Sequence, residues 1–351
     1  MRVLVVTSSP PFVEGGHLVI ARELVRACRE SGHEADLVVT PQNRFGRQGA
    51  AYAAAWLTDV ARAADGGPVD HVISLRYPAF AVRHPRHTCW LNHTMREYYD
   101  LWPQFSASLS WKNQIKESVR RRLIQAADRH FLTSGVQQRF VISGTVQARL
   151  SRAGIDAVVL HPPAPARRYR CDGYGDYLFA VSRLTPLKRF DLLLDALAQP
   201  EAHGMKAVIA GEGEAGDDLR ARCRRLGLEE RVRFVGRIDD DTLVSHLARC
   251  RAVAFVPFDE DYGFVTAEAF AAGKAVVTCR DSGGPTELVS DGVNGVVCTP
   301  TASALATGLS RVMHDRDAAE RLGAAGRARG AALTWSATVA RLLDGAPGTP
   351  V

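Results

Sequence analysis

AVAFVPFDEDYGFVTAEAFAAGKAVVTC, residues 252–279, holds one repeating unit of the fold. The apolar run 252–258 has the composition of a strand buried on both faces, and DEDYG (259–263) turns the chain. FVTAEAFAA then reads as a short helix stopped by Gly273, and AVVTC starts the next strand. Two carboxylates interrupt this apolar region, Glu260 in the turn and Glu268 in the first helical turns, so both can face a cleft from one strand–helix junction. Between them the amides around Gly263, Phe264 and Val265 open the helix, where free N–H groups suit a phosphate oxygen. Carboxylates at a helix start also stabilise its dipole with no ligand present, and the stretch by itself leaves both readings open.

The same alternation extends outward. Upstream in the second half come YLFAVS (177–182), KAVIAG (206–211) and VRFVG (232–236), and downstream GVVC (295–298). The first half has VLVVTS (3–8), ADLVVT (35–40), HVISL (71–75), TCWL (88–91) and RFVIS (139–143). Helical spacing separates them, as in Leu18, Ala21, Leu24, Val25 and Cys28. Strand and helix repeated in this way mean an α/β protein with parallel sheets covered by helices. HPPAPARRYRCDGYGD (161–176) crowds proline and glycine without periodicity, as a linker does. The 351 residues therefore divide into two Rossmann-like domains, expected at 1–165 and 166–334, with a last helix within 335–351 packing back on the first.

Composition narrows the class. With 46% hydrophobic and 23% charged residues the chain is an ordinary globular protein. MRVLVVTSSPPF reads as a strand and a turn, not a leader, no run is long enough to span a bilayer, and the seven cysteines form no CxxC pair. The expectation is reduced thiols in the cytoplasm. Residues 1–170 hold 23 Lys+Arg against 13 Asp+Glu, net +10, and the remainder is net −4. Much of the basic charge lies in KNQIKESVRRRLIQAADR (112–129), read as a helix with Ile115, Val119, Leu123 and Ala126 on one face. Such a helix is a solvated surface element or a contact for an anionic partner such as a membrane surface.

Further candidates sit after strands, where ligands of parallel sheets bind. Gly15 and Gly16 follow the first strand and precede a helix, either a plain tight turn or a close approach to phosphate. In SRLTPLKRFD (182–191), Arg183 and Lys188 flank a proline turn and suit a diphosphate, unless they are solvated loop cations. Gly283 and Gly284 precede Pro285, the favoured first residue of a helix, in a second glycine-lined loop.

Taken together, GG after the first strand, SRL-x-x-x-K, AGEGE with Gly211, VGR, E-x7-E and GG-P-x-E resemble the GT-B fold glycosyltransferases of family 4, retaining enzymes that use a nucleotide-activated sugar. The likeness covers nearly the whole chain and is strongest over 177–298. It implies two Rossmann-like domains facing a central cleft, with the donor UDP- or GDP-sugar as substrate and no cofactor or metal required. By that resemblance Glu260 contacts donor-sugar hydroxyls, Glu268 the ribose, and Arg183 and Lys188 the diphosphate, with Gly16 and the amides near Phe264 and Val265 completing the phosphate cradle. Arg237 and Ile238 fall at the nucleobase, and His93, in CWLNHTMREYYDLW (89–102), near the reacting carbon. Beside it Arg96, Tyr98, Tyr99 and Trp102 form either a sugar-stacking surface or core. The implied chemistry is attack on the face from which the diphosphate leaves, a donor phosphate oxygen taking the proton, and closure of the two domains on the donor. Breaking the anomeric bond places negative charge on the diphosphate, which cations and helix N-termini stabilise.

Rival readings are a sugar-nucleotide epimerase and a non-catalytic sugar-nucleotide binder of the same fold. A dehydrogenase is disfavoured because no GxGxxG opens either half, and a nucleic-acid partner is suggested by pI alone. The acceptor is open among glycan, lipid-linked and small-molecule classes, with peripheral membrane contact through the basic first domain as a hypothesis.

Overall fold

A computed structural model describes residues 1–12, 15–42 and 46–344. The chain forms two compact units, Met1–Pro162 with the described part of Thr334–Val351, and Pro163–Leu333. The division falls between two adjacent prolines, neither of which carries a backbone donor.

The first unit is built on strands β1 (Arg2–Ser9), β2 (Glu34–Pro41), β3 (His71–Ser74), β4 (His87–Leu91), β5 (Gln138–Val141) and β6 (Val158–Val159), all parallel, in the order β2-β1-β3-β4-β5-β6. The two-residue β6 is too short for any sequence period to reveal. Helix Gly16–Glu30 buries Leu18, Ala21, Leu24, Val25 and Cys28, the side chains whose spacing marked it. Helix Trp335–Asp344 belongs to this unit: the Trp335 ring meets Trp90 edge-on at 6.1 Å, and Thr88 Oγ1 donates to the Leu342 carbonyl at 3.1 Å. Residues 345–351 of the expected last segment lie outside the described residues.

The second unit carries β7 (Tyr177–Val181), β8 (Lys206–Ala210), β9 (Val232–Gly236), β10 (Ala252–Ala254), β11 (Val276–Cys279) and β12 (Gly295–Cys298), again all parallel, in the order β12-β11-β10-β7-β8-β9. Strand β10 is shorter than the apolar run 252–258 suggests. Pro257 has no N–H for a ladder, and beyond it the Phe258 amide turns to the Leu187 carbonyl at 2.8 Å and the Asp259 amide to the Asp281 carbonyl at 2.8 Å. The end of the run is thereby converted from strand into site loop.

Helix Trp111–Ser134 is present where the sequence places it, with its apolar stripe turned outward. Its buried side chains are Glu117, Ile124, Asp128 and Leu132, while Ile115, Val119 and Leu123 face solvent. Glu117 accepts from Tyr98 Oη at 2.7 Å, and Asp128 accepts from Tyr99 Oη at 2.7 Å and from Tyr52. These buried acids with phenolic partners set the helix's rotation against its own apolar stripe.

Candidate active site

In the second unit the strand order reverses between β7 and β10, which are neighbours in the sheet. The loops leaving their carboxyl ends splay apart there, the usual place for a ligand in such a sheet. These loops contain Arg183, Lys188 and Glu260. Arg189, which the sequence reading passed over, binds them together from a left-handed backbone position (φ 51°). Its guanidinium donates twice to the Asp281 carboxylate, at 2.8 and 2.7 Å, and to the carbonyls of Val256 (2.8 Å) and Pro257 (2.7 Å). One side chain thus ties the loops after β7, β10 and β11. Its signal in the sequence was only a third cation beside Lys188.

Lys188 Nζ meets Glu260 Oε2 at 2.5 Å, with both side chains less than a fifth exposed. Arg183 is exposed and has no acidic partner among the described residues. The site therefore presents one cation already matched by a carboxylate and one unmatched. An entering diphosphate can draw on both, and each Lys188–phosphate contact releases acceptor capacity on Glu260 for a hydroxyl.

The glycines have packing causes. Gly263, the cap of helix Phe264–Ala271, sits at φ 78°, and a Cβ there would stand 2.5 Å from the Phe255 ring. Phe264 and Val265 follow it as the first helical residues. Gly283 and Gly284 lie against the loop itself: the Glu260 amide donates to Ser282 O at 2.9 Å and the Gly284 amide to Glu260 O at 2.8 Å, so any side chain at 283 or 284 would strike the backbone of 259–262. Close backbone approach thus accounts for the second glycine-lined loop without a phosphate. Gly211 is held likewise by the Ser182 carbonyl, and its amide donates to Gly236 O at 2.7 Å. That bond places the loop after β8 beside exposed Arg237 and half-buried Ile238.

Glu268 is 6% exposed. Burial raises its pKa above the ordinary carboxylate value, opposed by the charge and hydrogen bond of Arg167. Arg167 binds Glu268 Oε1 and reaches Asp240 at 2.9 Å, and Tyr169 Oη lies 3.5 Å from the same Oε1. Oε2 has no hydrogen-bond partner among the described residues, so the carboxylate keeps an oxygen for a ligand. Arg167 and Tyr169 lie in the segment read as a linker, where no periodicity marks them.

Arg183, Lys188, Gly211, Arg237, Ile238, Glu260, Gly263, Phe264, Val265 and Glu268 thus belong to the carboxyl edge of one sheet, whereas Gly15, Gly16 and His93 belong to the first unit. There Gly15 caps helix Gly16–Glu30 with an extended backbone (φ −172°), and its carbonyl accepts from the Leu18 amide at 3.0 Å. His93 follows β4, and its Nδ1 donates to the Thr94 carbonyl at 2.7 Å, leaving Nε2 as an acceptor. Burial, with repulsion from Arg76, Arg96 and Arg149, pushes its pKa down to about 3, against the Thr94 bond, so the ring is neutral. On either side, the side-chain amide of Asn92 and the hydroxyl of Thr94 are buried and have no hydrogen-bond partner among the described residues. Sequence reading missed this unused polar capacity around His93. Tyr98 and Tyr99 are buried and bonded to Glu117 and Asp128, which decides for core over a sugar-stacking surface. Arg96 pairs with Asp100 at 2.7 Å.

Two parallel six-stranded sheets in separate Rossmann-like units define the GT-B class, and the solved structure of Anabaena HepE in complex with UDP and glucose shares this fold, with a TM-score of 0.71 at 19% identity, covering 98% of this chain and 100% of that one. Residues 170–329, nearly all of the second unit, match the family Glycosyl transferases group 1. An uncharacterized glycosyltransferase of Methanocaldococcus jannaschii is 36% identical over 137 residues, 38% of this chain and 35% of that protein. The GDP-mannose-dependent alpha-(1-6)-phosphatidylinositol monomannoside mannosyltransferase of Mycobacterium tuberculosis is 30% identical over 248 residues, 66% of this chain and 64% of that protein. The chain thus spans between about one third and two thirds of the length of these curated relatives.

Proposed function

We propose that this protein is a retaining, family 4 hexosyltransferase that moves a sugar from a UDP- or GDP-sugar to a hydroxyl acceptor without a metal. The observation that carries this reading is the switch-point arrangement in the second unit: unmatched Arg183, the Lys188–Glu260 pair at 2.5 Å, and a glycine-capped helix start between two carboxylates. Arg183 and Lys188 bind the diphosphate and stabilise the charge it gains as the anomeric bond breaks. Glu260 accepts from donor-sugar hydroxyls, and Glu268, oriented by Arg167, accepts from the ribose through Oε2. Arg237 and Ile238 border the base, with Gly211 letting their loop approach. From the first unit, Gly15 and Gly16 serve the phosphates, and neutral His93 accepts a hydrogen bond at Nε2. The acceptor hydroxyl's proton passes to a donor phosphate oxygen.

The names of the relatives point to both donor bases: one solved neighbour is described in complex with UDP, and one curated relative is called GDP-mannose-dependent. The latter's name also supports a lipid-linked acceptor here. All seven cysteines are free thiols, in keeping with a reducing compartment. The test is a thermal-shift series with UDP, GDP, ADP and their sugar conjugates, with and without EDTA, followed by the anomeric configuration of the product. A rise with one nucleotide family that EDTA leaves unchanged, and a retained anomer, are expected. A shift without turnover on any acceptor class would favour the sugar-nucleotide binder, and loss of the shift in EDTA would overturn metal independence.

A further inference from the structure

The outward face of helix Trp111–Ser134 is unlike an ordinary water-facing helix. Trp111, Ile115, Val119 and Leu123, spaced four residues apart, are 67%, 60%, 53% and 66% exposed and line one side. Interleaved with them are exposed Lys112, Lys116 and Arg122. Both acidic residues of the helix, Glu117 and Asp128, are turned inward, so the exposed charge of this face has a single sign. The rotation is locked, because Glu117 bonds Tyr98 while Asp128 bonds Tyr52 and Tyr99. Turning the apolar stripe inward would leave two carboxylates without these partners.

Four large apolar side chains in one exposed row call for a cover. A second copy pairing through the same face would set Lys112, Lys116 and Arg122 against their own kind, which like-charge repulsion opposes. An anionic bilayer satisfies both components at once. We propose that this face docks on an anionic lipid surface, with Trp111, Ile115, Val119 and Leu123 entering the boundary between headgroups and acyl chains. Lys112, Lys116 and Arg122 extend along their own stems to the lipid phosphates. Among the described residues no helix is long and apolar enough to cross a membrane, so the contact is an interfacial one. The inference stands on this helix alone and is independent of the donor reading.

The experiment is co-sedimentation of the full chain with vesicles of phosphatidylcholine alone and of phosphatidylcholine with phosphatidylglycerol. Binding at least about tenfold stronger to the anionic vesicles, weakened by high salt, is expected. The double variant I115D/L123D changes only exposed positions and should keep the wild-type melting temperature and nucleotide-induced thermal shift while losing vesicle binding at least about tenfold. Failure of the wild type to bind anionic vesicles, or equal binding by the variant, would overturn the proposal. So would a dimer in size-exclusion chromatography that the variant dissolves, since a second copy would then be the cover. Because the nucleotide shift is read separately, loss of membrane binding cannot be mistaken for failure of the donor site.

Discussion

Both units place a strand-order reversal beside their first strand, yet they furnish it differently. In the second unit, Arg189, Lys188 and Glu260 join the loops after β7, β10 and β11 by charge-assisted bonds. In the first, β1 leads to Gly15 and Gly16, and the distinctive chemistry lies after β4, where neutral His93 stands beside buried polar side chains that have no hydrogen-bond partner among the described residues. Equal topology has therefore been given a self-locked ion-paired junction in one place and a neutral histidine under the field of nearby arginines in the other. A fold decides where a ligand goes, and the side chains decide which.

The largest test of this contrast is K188A. Its removal should lower transfer about 10²- to 10³-fold and remove the nucleotide-induced thermal shift, whereas H93A should lower transfer and keep the shift. Equal loss of the shift in both would erase the distinction. R189A should come next: it frees the Asp281 carboxylate and two carbonyls in the loops after β10 and β11, at about 2–4 kcal/mol of stability in denaturant unfolding. A stability unchanged within error would show that the loops hold without it.

Glycine replacement sharpens the comparison further. G263A combines a φ of 78° with a Cβ 2.5 Å from Phe255 and should cost about 1–3 kcal/mol. G15A keeps an extended backbone and meets only the His17 ring, at 3.2 Å, so its melting temperature should move little. If G15A nonetheless weakens nucleotide binding, close ligand approach is the reason for glycine there.

Acid should separate the units by smaller steps. Burial holds His71 and His87 at about 4 and His93 at about 3, below the ordinary 6.5. At these histidines the native first unit binds fewer protons than its unfolded chain; their contribution to stability is complete above about pH 6.5 and falls as pH drops toward 4 and 3, by up to about 1.4 kcal/mol per pH unit for each, while Asp128, raised by burial to about 6, offsets part of that loss. Buried Glu268 in the second unit has the opposite sign: its raised pKa favours the native state at low pH and costs stability as pH rises through the carboxylate range. All five tryptophans, Trp56, Trp90, Trp102, Trp111 and Trp335, lie in the first unit, so tryptophan fluorescence should report acid unfolding before far-UV circular dichroism does. Coincident transitions would show that the two units unfold together.

Much of the architecture was legible because apolar runs of strand length recur between helical periods, and the residues of the proposed donor site could be singled out because they cluster after those strands. Arg189 and Arg167 were not, since a guanidinium that ties loops through carbonyls and distant carboxylates leaves no spacing to read. The orientation of helix Trp111–Ser134 was not legible for a related reason: periodicity locates an apolar face but cannot say what the neighbouring elements offer, and here tyrosines claimed the acids. The sequence by itself determined two parallel α/β units and a cationic, carboxylate-bearing junction in the second, because these follow from local pattern. Only the tertiary structure decided which cation is matched, which glycines are demanded by backbone approach, and which face of the basic helix meets the solvent, because those depend on residues far apart in the chain competing for the same partners.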